Sequence, residues 1–393
     1  MRPVFRLLVR VPACGLKLPP VKLALYLFWL MLATEIVANG RDFKVSVVTN
    51  NVPNARQMAE SASGILFIGT RRAGNLYAVV PPTNPTAEPE VVTFASGLTM
   101  PSGVALLDDD LYVAALNRIL RFPKLETTFR NRPRPEIVTE KLPQKRHHGW
   151  KYLSAGPDRH LYVPVGAPCN ICLSTDERFA SILRIDPKTG VSELYARGVR
   201  NSVGMAWHPD TQRLWFSDNG RDMLGDDVPA EEINVVEEPG AHYGYPFVHA
   251  GNVVDPKFGK EIAGRVFTPP VLRIQAHSAV LGMDFYTKEA FPPSYRNALF
   301  VAEHGSWNRT QKVGYRVSVI RTAPDQTLTY EPFIDIWLRG QKASGRPNDV
   351  LVSRDGNLLI SDDQEGVIYR VEYVGKKAND ATNAASINAT DTI

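Results

Sequence analysis

The stretch from Gly198 to Tyr245 decides the fold and reads GVRNSVGMAWHPDTQRLWFSDNGRDMLGDDVPAEEINVVEEPGAHYGY. Within it, two short apolar runs, Gly204 to Trp207 and Arg213 to Ser217, flank a turn at residues 208–210. Short apolar runs around a Pro/Asp turn are typical of paired β-strands. A long loop rich in Asp, Glu, Asn and Gly follows the second run. The stretch therefore predicts a β-hairpin with polar ends.

Polar residues mark both ends of this predicted hairpin. Arg200 and Asn201 come just before its first strand, and residues 218–220, Asp-Asn-Gly, come just after its second. An arginine, amides and several oxygen donors brought together suit an anionic, carbonyl-bearing ligand held with a hard cation such as calcium. The alternative is a solvated loop capped by Asx-turns.

The same unit, an apolar strand followed by a turn and a second strand of the form LYV or LWF, recurs along the chain. Its copies begin at six places, Ser63, Ser102, Leu153, Val203, Leu281 and Asn348. No long amphipathic helical pattern interrupts them, and many short strands separated by turns are typical of all-β proteins. Six units that each form a four-stranded blade predict an all-β fold, a six-bladed β-propeller.

We expect one propeller domain over residues 39–375, because no linker divides the repeats. The longest spacings between copies carry insertions at 124–145, 220–260 and 305–313. Residues 376–393 are polar and rich in small side chains, which predicts a disordered tail. Loops from all blades of a propeller meet on one face, so we expect the polar ends of the repeats to lie close together there.

Residues 1–38 have the pattern of a secretory signal peptide. Five basic residues precede an apolar run from Leu23 to Thr34, and small residues lead up to Ala38. The run is shorter than the ~20 residues of a spanning helix, so the sequence predicts export to the periplasm or the cell exterior, with an uncleaved membrane anchor as the alternative. After residue 38 the chain keeps 40 basic and 40 acidic residues and has no basic block. This balance argues against nucleic acid as a partner.

Cys169 and Cys172 form a CxxC pair in the segment GAPCNICLS. No His follows Cys172 and the sequence has no second CxxC, which argues against haem attachment and against a structural zinc site. In an exported protein we expect the pair to form a disulfide, and a redox-active pair is the alternative.

The repeat ends carry histidines, arginines and oxygen ligands, and they lack a GxSxG nucleophile motif. His148 precedes a strand and has the chemistry of a general base, since the ordinary histidine pKa lies near neutrality. Arg200, Arg309 and Arg346 can clamp carboxylates, although each could instead form a salt bridge between blades. Residues 231–232, Glu-Glu, could bind calcium or be solvated. These residues alone predict a propeller enzyme or binding protein with an anionic ligand and a metal.

Taken together, the segments resemble the PQQ-dependent glucose/sorbosone dehydrogenase family (PQQ is pyrroloquinoline quinone), and its sorbosone dehydrogenase branch in particular. The resemblance extends over residues 64–374. It rests on stretches in a shared order, namely H-x7-GPD-x3-LYV at His148, GVRNSVGMAWHP at Gly198, DNGRD…GDD…EEIN…HYGYP at Asp218, HSAVLGMDFY at His277, LFVAEHGSWNR at Leu299 and GRPNDVLVSRDGNLLISDD at Gly345.

This resemblance implies a six-bladed propeller that binds PQQ on one face and oxidises a sugar or sugar aldehyde. His148 matches the general base that removes the hydroxyl proton of the substrate as hydride passes to the quinone C5 carbon. Arg200 matches the residue that lies against the quinone and stabilises a developing negative oxygen. The other matches to cofactor-contacting positions are Asn201, Asn219, His277, Arg309 and Arg346.

The resemblance also implies calcium and an electron acceptor. The backbone carbonyls of Gly220 and Arg221 match ligands of a calcium ion that bridges the protein to PQQ. Glu232 and the carbonyl of Tyr243 match a second, structural calcium site. The implied partners are a small sugar substrate and an external acceptor, a cytochrome or a quinone.

Four positions depart from the glucose-oxidising branch. His147 replaces an Asp, Asn219 replaces a Gln, the element HGSWNR replaces a Lys, and Asn348 replaces a basic residue. These departures favour a sorbosone-type substrate over glucose.

Two other functions stay open on the sequence. A calcium-dependent propeller lactonase or hydrolase would use the same oxygen ligands, but it would not need a cluster of arginines. A non-catalytic propeller that binds a protein or glycan would not need both His148 and Arg200.

Overall fold

The computed structural model describes residues 36–37, 42–84 and 86–375, and nearly all of their regular structure is β-strand. Helical structure within these ranges is limited to one short α-helix, α1 (Leu125–Thr128), and to 3₁₀ turns at Phe129–Asn131, Gly259–Glu261 and Pro293–Tyr295. The all-β prediction is confirmed.

The strands form six antiparallel sheets, which are the blades of a propeller. The N-terminal strands are β1 (Ile36–Val37) and β2 (Phe43–Thr49). The first blade contains β3 (Ala55–Glu60), β4 (Leu66–Thr70), β5 (Leu76–Val80) and β6 (Glu90–Ala95). The second contains β7 (Gly103–Leu107), β8 (Asp110–Ala114), β9 (Ile119–Phe122) and β10 (Glu136–Thr139). The third contains β11 (Ser154–Ala155), β12 (Leu161–Val165), β13 (Ser181–Ile185) and β14 (Ser192–Arg197).

The remaining blades follow the same order with two small additions. The fourth blade contains β15 (Met205–Trp207), β16 (Leu214–Asp218), β17 (Glu231–Val235) and, after the hairpin β18 (Val248–His249) and β19 (Val253–Val254), β20 (Leu272–Ile274). The fifth contains β21 (Val280–Phe285), β22 (Leu299–Glu303), β23 (Arg316–Thr322) and β24 (Leu328–Ile334), and is followed by the hairpin β25 (Leu338–Arg339) and β26 (Lys342–Ala343). The sixth contains β27 (Pro347–Val352), β28 (Leu358–Asp362) and β29 (Val367–Tyr373), with β2 as its outer strand.

The ring closes through the N-terminal strand. β2 pairs antiparallel with β29, from Phe43 opposite Tyr373 to Thr49 opposite Ile368, and β1 extends this sheet beyond β2. The first strands of neighbouring blades contact one another around the axis, with β27 against β3 and β3 against β7. The predicted six-bladed β-propeller is confirmed, and its first and last blades are neighbours.

Aromatic side chains fill the spaces between blades. Phe94 contacts Phe67 of its own blade and Phe122 of the second blade in edge-to-face geometry, with ring centroids 5.8 and 5.6 Å apart. Phe43 of β2 packs the same way on Phe333 of the fifth blade, at 4.9 Å. Burying each such ring contributes about 1.5–3 kcal/mol, so these contacts hold adjacent sheets face to face.

The termini fall largely outside the described residues. Of the predicted signal peptide, residues 1–38, only β1 is described, and the predicted tail, residues 376–393, lies wholly outside. No helix in the described part of the chain is both long and apolar enough to cross a membrane.

Candidate active site

A polar cavity of about 450 Å³ opens on one face of the propeller, over its axis. Most of its walls come from segments that either precede the first strand of a blade or follow the second strand. First and second strands run antiparallel, so the start of one and the end of the other lie on the same face. Arg200 before β15 and Asn219 after β16 meet in this way, and so do His277 before β21 and His304 after β22.

His148 lies in the cavity wall just before β11 and is buried. Its Nδ1 is 2.9 Å from the carbonyl oxygen of Ala167, so the hydrogen-bond network assigns the proton to Nδ1 and the lone pair to Nε2. Burial, and then the nearby charge of Arg200, hold the pKa of His148 well below its usual value of 6.5. The imidazole is therefore neutral at neutral pH and can accept a proton at Nε2.

The backbone around His148 is tightly fitted. Its φ of 49° lies in the left-handed region, which is uncommon for residues other than glycine and clusters at functional sites. A Cβ on Gly166 would come within 2.5 Å of the His148 Cβ, so only glycine allows this approach. The ring of His147 lies beside that of His148, with centroids 4.1 Å apart, and also lines the cavity.

Arg200 is held by hydrogen bonds along its whole guanidinium. Nε donates to the Asn170 carbonyl at 3.0 Å, and Nη1 donates to the Asn219 carbonyl at 2.9 Å. Nη2 donates to the Asn170 side-chain oxygen at 2.8 Å and lies 3.2 Å from a carboxylate oxygen of Asp222. The side chain is buried, so the positive charge has a fixed position in the wall.

Asp218, at the end of β16, joins the two ends of the predicted hairpin. Its carboxylate oxygens accept the backbone N–H groups of Arg200 at 2.7 Å and of Asn201 at 2.6 Å. The Asn219 amide then donates to the Asn201 carbonyl at 2.9 Å. The structure thus brings together Arg200, Asn201 and Asn219, which all line the cavity.

The other arginines and histidines assigned to the cofactor separate into two groups. Arg346 and His277 line the cavity. Arg346 donates to the His304 carbonyl at 3.0 Å, and Nε2 of His277 lies 2.8 Å from the Gly225 carbonyl oxygen. Arg309 lies outside the cavity lining and pairs with Asp227 at 2.7 Å. Arg309 thus ties two loops together at the rim.

The residues assigned to calcium also differ in position. Gly220 lines the cavity, and its N–H donates to Glu231 at 2.6 Å. The guanidinium of Arg221 is paired with Asp255 at 2.5 Å. Glu232 and Tyr243 are buried behind the cavity wall, in and beyond β17.

The described His, Asp and Glu side chains of this region are not grouped as metal ligands. The ranges that the structure describes contain no cluster of three or more His, Cys, Asp or Glu side chains suited to a metal ion. A cation here would depend on backbone carbonyls and amide oxygens, which are ordinary calcium ligands.

Cys169 and Cys172 are joined as a disulfide, with their Cα atoms 6.2 Å apart. Between them, Asn170 is the residue that accepts two hydrogen bonds from Arg200. The Cys172 N–H donates to the Tyr245 hydroxyl at 3.0 Å. The disulfide loop therefore contacts the site through Asn170.

Several cavity residues escaped the sequence reasoning. Arg56, Arg71, Arg72 and His304 all line the cavity. Nε2 of His304 is 2.7 Å from Asp363, and burial lowers the pKa of His304 to about 4. The repeat pattern could have identified Arg71 and Arg72. They directly follow β4, the second strand of the first blade, as residues 219–220 directly follow β16, the second strand of the fourth blade.

The fold and this cavity define a class of protein, a six-bladed propeller with a cationic axial site that holds a neutral, base-competent histidine. The TrAA12-like family model matches residues 37–374, so the chain belongs to the TrAA12-like family.

Known proteins similar to this chain are consistent with that family. An uncharacterized protein of Borreliella burgdorferi is 33% identical over 356 residues, which cover 87% of this chain and 91% of that protein. The aldose sugar dehydrogenase YliI of Escherichia coli K12 is 27% identical over 186 residues, covering 46% of this chain and 44% of that enzyme. The holo form of the pyranose dehydrogenase PQQ domain from Coprinopsis cinerea has a TM-score of 0.70 at 17% identity, covering 87% of this chain and 97% of that one. At this identity the last likeness shows the fold alone.

Proposed function

We propose that this protein is a PQQ-dependent oxidoreductase that oxidises a sugar or sugar aldehyde of the sorbosone type. The observation that carries the proposal is the pairing of His148, which is buried and neutral with a free Nε2, with the fixed guanidinium of Arg200 in one cavity. A base to take a hydroxyl proton and a cation to support negative oxygen are what such an oxidation requires. The similarity to the aldose sugar dehydrogenase YliI supports the same chemistry.

The donor set of the cavity fits PQQ, which is a flat quinone bearing three carboxyl groups. Arg200 and Arg346 supply guanidinium donors suited to carboxylate or quinone oxygens. Asn201, Asn219 and His277 add neutral polar groups around them. We assign these five residues to holding the cofactor, which when bound would supply an acceptor for two electrons. Arg309 is assigned to support the rim instead, because it is paired with Asp227 outside the cavity lining.

His148 and Arg200 have separate roles in the proposed oxidation. Nε2 of His148 takes the hydroxyl proton of the substrate, while Nδ1 stays bonded to the Ala167 carbonyl and fixes the ring. Arg200 stabilises negative charge that develops on oxygen, and its bonds to Asn170 and Asn219 hold it in position before the reaction begins.

Calcium fits two places. Gly220 lines the cavity directly after the cofactor residue Asn219, and the backbone carbonyls of Gly220 and Arg221 would be the ligands of the first ion. Behind the wall, Asn234 presents a buried amide oxygen without a hydrogen-bond partner, and its Nδ2 donates to Glu232 at 3.0 Å. A calcium ion bound by Glu232, Asn234 and the Tyr243 carbonyl would give the Asn234 side-chain oxygen a partner.

We further propose that the protein is exported and passes its electrons to an external cytochrome or quinone. The sequence of residues 1–38 and the disulfide between Cys169 and Cys172 support export, since disulfides persist in oxidising compartments. A two-electron oxidation needs a final acceptor, which the chain itself does not provide.

Calorimetric titration with PQQ, with calcium and then with excess chelator, tests the proposal. We expect calcium-dependent binding, followed by dye reduction with sugar aldehydes. His148→Gln should still bind PQQ and lose turnover by ~10²–10⁴-fold, the usual worth of a general base. Binding in neither condition would reject the quinoprotein assignment, and chelator-sensitive ester cleavage would instead indicate a calcium-dependent hydrolase.

A further inference from the structure

Four arginines line one side of the cavity, and we refer to Arg56, Arg71, Arg72 and Arg346 as the arginine wall. They come from two neighbouring blades. Arg56 lies in β3 and residues 71–72 follow β4 in the first blade, whereas Arg346 precedes β27 in the sixth. The closure of the ring by β2 places these blades side by side, so positive charge from both ends of the sequence collects here.

Among the residues that the structure describes, most of this charge has no carboxylate in an ion pair with it. Arg56 pairs with Asp363 at 2.6 Å, and His304 shares the same carboxylate. Within the described ranges no Asp or Glu forms an ion pair with Arg71, Arg72 or Arg346. Arg346 donates to the carbonyls of residues 304 and 305 instead. Like charges gathered in a partly buried wall oppose one another unless an anion binds between them.

Arg71 is the clearest case of an arginine in this wall that could bind an anion. Its guanidinium carbon stacks 3.8 Å from the centre of the Trp150 ring, which holds the side chain in place. Its Nε is buried and has no hydrogen-bond partner among the described residues. Burial and the charges of Arg56 and Arg72 lower the pKa of Arg71 to about 10, so the group remains charged at neutral pH. A fixed, charged and unsatisfied guanidinium facing a cavity is a site for a carboxylate.

The position of Arg71 relates it to the substrate more than to the cofactor. Trp150 contacts both Arg71 and His148, with the His148 and Trp150 ring centroids 5.8 Å apart. His148 is the group assigned to take the substrate proton, whereas Arg346 is the one member of the arginine wall that is also assigned to the cofactor. At the cavity mouth, Trp307 is 67% exposed and offers a flat apolar surface against which a sugar ring can stack.

We propose that the substrate is an acidic sugar, such as a uronic acid, and that Arg71, assisted by Arg72, binds its carboxylate. This inference rests on the proposed function, because it names the substrate class of the same site. The shared chemistry is carboxylate recognition, and a carboxylate can come from the substrate or from PQQ. Arg71 is thus a specificity-determining residue that selects acidic sugars over neutral aldoses.

The test compares D-glucuronate with D-glucose, which differ in one charged group. For the PQQ-loaded protein, we expect kcat/KM for glucuronate to exceed that for glucose by ~10- to 100-fold, the worth of one charge-assisted hydrogen-bonded pair. Arg71→Gln should reduce this ratio to about one without weakening PQQ binding by calorimetry. Arg118→Gln, which alters a surface pair with Glu140, is the matched control and should leave the ratio unchanged. Arg71→Lys, expected to retain part of the preference, replaces the Gln variant if that protein does not fold.

A second readout does not need turnover. Titration of the apo-protein with glucuronate should change tryptophan fluorescence through Trp150, whereas glucose should not, and Arg71→Gln should abolish the signal. If wild type binds no PQQ yet gives this signal, the proposed function fails and the carboxylate site stands. If Arg71→Gln weakens PQQ binding and lowers both sugars' kcat/KM equally, the wall serves the cofactor and the inference is overturned. Equal preference for the two sugars in wild type overturns it as well.

Discussion

Replacing Asn170 with alanine should release Arg200 from its fixed position. The Asn170 side-chain oxygen accepts from Arg200 Nη2 at 2.8 Å and from the Asp222 N–H at 2.9 Å, and its amide donates to the Asp222 carbonyl at 3.2 Å. A bond to a charged group is worth about 1.5–3 kcal/mol and a neutral one about 0.5–1.5 kcal/mol. Because the residue is partly exposed, we expect the free energy of unfolding to fall by about 2–4 kcal/mol.

Asn170→Ala should weaken PQQ binding without abolishing it. Arg200 Nε still donates to the Asn170 backbone carbonyl at 3.0 Å in the variant, so the guanidinium keeps one bond to the loop. We expect PQQ binding to weaken by about tenfold, which is ~1.4 kcal/mol, measured by calorimetry beside urea unfolding. Asn308→Ala is the comparison variant, since it removes a 2.9 Å bond to Asp222 but leaves both bonds between Asn170 and Arg200 in place.

A double-mutant cycle isolates the contact between the two residues. Asn170→Ala combined with Arg200→Ala should show a coupling of ~1.5 kcal/mol or more in unfolding free energy, because both groups share one hydrogen bond network. Additivity within ~0.5 kcal/mol, or equal effects of Asn170→Ala and Asn308→Ala on PQQ affinity, would refute the claim that the disulfide loop positions Arg200.

Three further predictions follow from the same structure. Burial holds the pKa of His148 well below 6.5, so the ring is already in its base form at neutral pH, and kcat/KM should fall only below pH 6.5. If kcat/KM instead falls with decreasing pH already above pH 7, and does so in His148→Gln as well, that titration belongs to another group. Burial raises the pKa of Asp349 to about 8, so the folded protein keeps this proton up to about pH 8, whereas the unfolded chain loses it at about pH 4. The free energy of unfolding should therefore decrease as the pH rises from about 4 to about 8. The Tm of Asp349→Asn minus the Tm of wild type should therefore be larger at pH 9 than at pH 5. The same difference at both pH values would contradict this prediction. Replacing Cys169 and Cys172 with serine should lower stability by ~2 kcal/mol and weaken PQQ binding in the same direction as loss of Asn170, whereas unchanged binding would separate the disulfide from the site.

The sequence was sufficient for the fold because each blade repeats a local pattern. The apolar runs at residues 204–207 and 213–217 became β15 and β16, and the turn between them set their pairing. The repeat count predicted six blades. The closing strand was not predicted, because β2 pairs with β29 from the other end of the chain and nothing local in residues 43–49 specifies that partner.

The site could be predicted only where its residues are close in sequence or match a known motif. Arg200, Asn201 and Asn219 lie at the two ends of one hairpin, so sequence reasoning grouped them correctly in space. Arg309 was grouped with them because it matches a cofactor-contacting position of the resembled family, yet it pairs with Asp227 of another loop and does not line the cavity. The pairing of an arginine depends on which acid the fold brings near, and that information is not local.

The arginine wall illustrates how ring closure creates a property that no single repeat contains. Arg56 follows directly on β3's first residue, and its partner Asp363 follows β28, so their ion pair crosses the boundary between the first and sixth blades. Asp363 bonds to Arg56 and His304, and within the described ranges Arg71 and Arg346 line the cavity without an ion pair to any other carboxylate. The contact that joins the two ends of the chain thus also sets the charge of the site. A substitution at Asp363 would therefore alter ligand binding and blade closure together. Within the described ranges Arg71 takes part in no ion pair across this boundary, and this difference is why Arg71 is the better probe of what the cavity recognises.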